Sequence, residues 1–174
     1  MILGMSTATF TALHVAISLV GIVSGLIVMY GLIAARRFDR WTAVFVVSTA
    51  LTSLTGFAFP NPHPTPGQII GVLSLVVLAA AIVGRYVLRL RGPWRWIYVV
   101  SASLALYFNV FVFVVQSFEK VPALTALAPT QKEPPFAIAQ LLVLVAFAWL
   151  TVLALKRFRI EGTASVPESR KRAA

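Results

Sequence analysis

The side chains able to do chemistry in this chain are few, and their positions carry more information than their number. His14 and His63 are the two imidazoles. Either can ligate haem or another metal through a ring nitrogen, or exchange hydrogen bonds with a small molecule. Haem at His14 is the one cofactor chemistry the sequence admits, as a minor reading beside a neutral ring bonded to a neighbouring helix. His63 sits among prolines and reads as an exposed loop residue; no metal site is expected. Thr52, Thr55, Asn109, Gln116 and Gln140 are the hydroxyls and amides that join His14 as candidate ligand contacts.

The remaining chemistry is narrowed by what the chain lacks. It has no Cys, which removes disulfides, thiol nucleophiles and thiolate metal sites together. Its five acids, Asp39, Glu119, Glu133, Glu161 and Glu168, fall in loops, at boundaries or near the C-terminus, so a buried proton relay or carboxylate dyad is not expected. The four lysines also fall outside the apolar runs. No phosphate-binding loop, zinc-protease helix, nucleophile elbow or dinucleotide fingerprint is present. A non-enzymatic protein is the expectation.

The elements that must hold these residues follow from composition. Hydrophobic residues make up 59% of the chain and charged residues 11%, well outside soluble usage. The expected fold is all-α: a polytopic membrane protein occupying residues 1–157, built as a bundle of five transmembrane helices. The spans are expected at about 11–35, 41–59, 68–88, 94–118 and 136–155, each near the ~20 residues that cross a hydrocarbon core of roughly 30 Å. Phe59 to Gly67, FPNPHPTPG, cannot continue a helix, and Gly92-Pro93 breaks the chain again. Residues 158–174 are expected to form a disordered basic tail.

A net charge of +10 in a soluble domain would suggest nucleic acid, which is not expected here. The basic residues instead flank the apolar runs. Arg36, Arg37, Arg40, Arg85, Arg89, Arg91, Arg95 and the tail fall on one side, and only Lys120 and Lys132 on the other. The positive-inside rule then places the N-terminus outside and the C-terminus in the cytoplasm of a bacterial-type inner membrane. The expected partners are the bilayer, with anionic lipid at the tail, and either a second copy or another membrane protein.

Helical register sorts the polar residues. Thr7, Thr11, His14, Ser18, Gly21 and Gly25 recur at steps of four and three and form one stripe, in which Ser18, Gly21 and Gly25 make a close-packing surface. Ser48, Thr52 and Thr55 align similarly, as do Ala102, Ala105, Asn109 and Gln116. Counted from the outer surface, His14 lies roughly one turn down, Thr55 and Gln140 about 6 Å, Thr52 about 10 Å, and Asn109 near the midplane. An outward-facing polar pocket follows, with Glu119, Lys120, Thr130, Lys132 and Glu133 in a proline-bounded loop above it. In that loop Pro122 and Pro129 bound a short helix. Thr130 to Glu133 reads either as a capping box or as a turn that ends in a cap for the helix starting at Pro134.

The expected role is small-molecule binding or transport. The alternatives are an accessory subunit that packs against another membrane protein through the first helix and, behind it, a haem-binding redox subunit with haem at His14.

Overall fold

The computed structural model describes residues 1–60 and 65–158; His63 and the basic tail from residue 159 lie outside the described residues. Those described are helical, apart from turns and one isolated bridge between Ile2 and Met5. Five long helices alternate in direction: α1 Thr7–Ile33, α2 Asp39–Gly56, α3 Pro66–Ile82, α4 Trp94–Lys120 and α6 Pro134–Arg157. A short helix, α5 Pro122–Leu127, interrupts the last connection.

The helix ends are written in the sequence. Ser6 accepts a hydrogen bond from the Thr9 amide, so α1 starts four residues before the expected Thr11. It ends where Ala35 adopts φ 55° and the Arg36 amide reaches back to Gly31 O at 2.8 Å. Thr65 and Gln68 form a reciprocal capping box at α3, with Pro66 in the first turn. Glu133 is the cap residue of α6, but Pro134 and Pro135 offer no amides. Its carboxylate turns back instead to the Thr130 amide, the Thr130 hydroxyl and the Lys132 amide. The segment is therefore a turn that ends at the α6 cap position, and of the capping box only the Glu133 carboxylate to Thr130 amide half is made.

Four of the long helices, α1, α3 with its extension to Val87, α4 and α6, are long and apolar enough to cross a membrane. The chain is a helical, membrane-embedded protein. The helix α2 stands apart, because it opens with Asp39 and Arg40 and carries six Thr and Ser. Its polarity is turned inward. Thr42, Ser48, Thr49 and Ser53 are buried, whereas Val44, Val47, Leu51 and Leu54 face outward. Thr42 and Ser48 bond back to the carbonyls of Phe38 and Val44, which satisfies hydroxyls where water is absent.

Packing centres on α4. Val99, Ala102, Ala105 and Leu106 are buried, and the small side chains among them let α1, α3 and α6 approach closely. On α1, Gly21 and Gly25 are buried against the chain's own helices. A Cβ on Gly25 would stand 2.5 Å from Leu106 and 2.9 Å from the Phe45 ring. Phe158, expected to open the tail, is buried beside Tyr98 at a ring distance of 6.3 Å, and its carbonyl accepts from Arg95.

Candidate functional site

The polar stripe of α1 meets that of α2 in antiparallel register. His14 lies opposite Thr55, Gly21 opposite Ser48 and Thr49, Gly25 opposite Phe45, and Tyr30 opposite Phe38. From His14 to Tyr30 this is roughly 24 Å of shared length at about 1.5 Å per residue. The His14 Nδ1 to Thr55 Oγ1 distance is 2.7 Å. The Thr55 hydroxyl has one proton, and the Leu51 carbonyl lies 2.7 Å from Thr55 Oγ1 to accept it. Thr55 therefore accepts from His14, which fixes the proton on Nδ1 and leaves Nε2 with a lone pair. Phe59 stands edge-on to the imidazole at 5.4 Å and to Phe10 at 5.1 Å, forming an aromatic wall at this end.

One turn along α2, the Thr52 hydroxyl oxygen is buried with no hydrogen-bond partner among the described residues. One turn further, Asn109 Nδ2 donates to Thr49 Oγ1 at 2.9 Å, and the same amide lies beside Gly21 and Ser48. His14, Thr55, Thr52, Thr49 and Asn109 thus form a seam along the α1, α2 and α4 junction. Within it, an unpartnered hydroxyl lies between two cross-helix hydrogen bonds.

The other candidates fall elsewhere. Gln140 donates from Nε2 to Phe111 O at 3.3 Å on the α4 and α6 side, and its Oε1 is buried without a described partner. Gln116 is exposed on α4 and does not join the seam. Ser18 bonds back to Val15 O. The Glu119 to Phe136 loop is fastened to α4, through Thr125 Oγ1 to Phe118 O and Gln131 Nε2 to Val115 O. Glu119, Lys120 and Lys132 are exposed within it. Desolvation acts upward on the Glu133 carboxyl. The Thr130 hydroxyl and the neighbouring amides outweigh it and hold the group below the ordinary glutamate value. Among the described residues no three His, Cys, Asp or Glu side chains converge.

A second polar cluster, absent from the sequence reading, occupies the opposite end. The α3 helix passes into a π turn, Val83–Val87, which carries Arg85 inward. Its guanidinium donates to Asp39 at the start of α2, and to the buried Tyr98 hydroxyl on α4 at 3.1 Å. It also stacks 5.2 Å from the Tyr98 ring centre. Arg85 reads in sequence as one more boundary charge. The available signal was its place inside the third apolar run, one turn before Arg89.

No family model matches the chain, and no curated protein or solved structure shows significant similarity to it.

Proposed function

We propose that this protein is a non-enzymatic small-molecule binding or transport component of a bacterial-type cytoplasmic membrane. All five long helices cross the bilayer, with the N-terminus outside. The inward polarity of α2, its apolar outer face and its roughly 24 Å of contact along α1 support the fifth crossing. The concentration of arginine around Asp39, Arg85 and Arg95 supports the orientation.

The observation that carries the binding role is the His14–Thr55 contact across the α1–α2 seam, one turn from the buried, unpaired Thr52 hydroxyl. The His14 Nε2 has no bonded partner among the described residues, and the unpaired Thr52 hydroxyl lies one turn of α2 from the hydrogen bond between Thr49 and the Asn109 amide. A ligand with a hydrogen-bond donor and a compact apolar body suits this seam. An accessory role through the first helix has less support, since Phe45 and Leu106 fill the space against Gly25.

Native mass spectrometry of the protein, extracted gently from its own membrane, tests the binding role. A reproducible small-molecule adduct that His14→Phe abolishes, with the thermal transition retained, is the expected result. An adduct unchanged in that variant, or none in the unmodified protein, removes the proposal.

A further inference from the structure

The loop that follows the π turn forms an open depression of about 340 Å³ lined by Val87, Leu88, Arg89, Arg91 and Trp94. It lies at the basic end, opposite the His14 seam. Two of its five lining residues are guanidinium-bearing and none is acidic. The acid nearest in the fold, Asp39, is engaged by Arg85, and among the described residues this is the one salt bridge. The charge of Arg89 and Arg91 is therefore uncompensated by any described carboxylate.

The backbone is arranged to present that charge. Arg89 and Leu90 adopt φ 50° and 59°, a left-handed conformation unfavourable for side-chain-bearing residues. It is held by the Leu90 amide, which bonds Gly84 O at 2.8 Å, and by the Leu90 side chain, buried in the core. Leu90 pointing in leaves its neighbour Arg89 pointing out, where it is exposed. Beside the arginines, Val87 and Leu88 supply an apolar wall and Trp94 an indole, the residue type that sits at headgroup level.

We infer that this depression binds a phosphate-bearing anionic headgroup, with Arg89 and Arg91 on the phosphate and Val87, Leu88 and Trp94 against the attached acyl chain. Guanidinium pairs recognise phosphate oxygens through several donors at once. Val87 is exposed, as are Val76 and Val83 before it, and this apolar surface offers a lipid chain a contact that free phosphate cannot use.

The test uses the full chain in mild detergent with equal amounts of phosphatidylglycerol and phosphatidylcholine, read by native mass spectrometry. Phosphatidylglycerol should be retained preferentially. Arg89→Gln with Arg91→Gln should reduce that retention about tenfold. Arg37→Gln with Arg40→Gln removes the same charge at the same end, outside the depression, and should leave retention unchanged. All four arginines are exposed, so neither variant should move the thermal transition. Equal retention of the two lipids, or equal loss in both variants, would overturn the site. Displacement of the lipid by millimolar inorganic phosphate would overturn the lipid assignment, and its failure to displace supports the acyl contact.

Discussion

Arg85 and Asp39 form an ion pair whose two halves live in different surroundings: the arginine side chain is 6% exposed and the aspartate side chain 78%. The buried partner depends on the pair more than the exposed one does. Asp39→Asn leaves a guanidinium without its counter-charge, and is expected to cost about 1–2 kcal/mol, below the usual figure for a buried pair because water screens Asp39. In an Arg85→Met background the same change should cost less than about 0.5 kcal/mol. Reversible unfolding of the four proteins in detergent completes the cycle, and equal costs in both backgrounds would dissolve the coupling.

The two glycines of the α1 stripe should behave differently. At Gly25 an added methyl meets Phe45 and Leu106, both buried, and Gly25→Ala should destabilise by about 1–3 kcal/mol. At Gly21 the nearest atoms, on Asn109, Ser48 and Thr49, stand at 3.4 Å. Gly21→Ala should change stability by less than about 1 kcal/mol, since helix propensity offsets the crowding. Thermal unfolding of both variants checks the ordering, which a larger loss at Gly21 would reverse.

Thr49→Val leaves the Asn109 amide without its described acceptor and should cost about 1 kcal/mol, typical of a hydrogen bond between membrane helices. Adding Asn109→Leu should recover part of that loss, because the orphaned donor is removed. A double variant less stable than Thr49→Val alone would show that the amide serves another contact.

The Glu133 loop carries a pH dependence with a defined sign. Its carboxyl is held below the ordinary glutamate value, so the bonds to Thr130 and Lys132 contribute fully above that value. They are lost as pH falls through the lowered one. The Thr130 and Lys132 amide chemical shifts should titrate with a midpoint below that of an unperturbed glutamate, and Glu133→Gln should abolish the transition. A midpoint at or above the ordinary value contradicts the loop geometry.

The absence of native cysteine gives a direct check on orientation. Ala126→Cys on α5 should react with a membrane-impermeant maleimide added outside intact cells, and Arg37→Cys should react only after the membrane is opened. The reverse pattern would invert the topology.

Helical character was legible because apolar runs of membrane length are separated by prolines, glycines and charge clusters, each with a local chemical effect. The pairing of His14 with Thr55 was half legible. Periodicity put each residue on the polar face of its helix, but the register between the helices depends on turn geometry that periodicity does not encode. Gln116 shows the limit: seven residues from Asn109 it shares a face, yet it is exposed while Val115 and Phe118 on either side of it hold the loop, so periodicity alone does not say which neighbour covers a face. The inward pairing of Arg85 was not legible because its partners, Asp39 and Tyr98, are distant in sequence. The π turn that aims it has no composition signal of its own.

The inside-out character of α2 also bears on how the protein reaches its membrane. Taken alone, this segment would present Thr42, Ser48, Thr49 and Ser53 to hydrocarbon behind a charged leading turn, an unfavourable partition for 18 residues. Laid against α1, those same hydroxyls face protein. On the proposed five-span topology, α2 has its hydroxyls covered only once it is paired with α1, which makes the α1–α2 hairpin the natural unit of insertion.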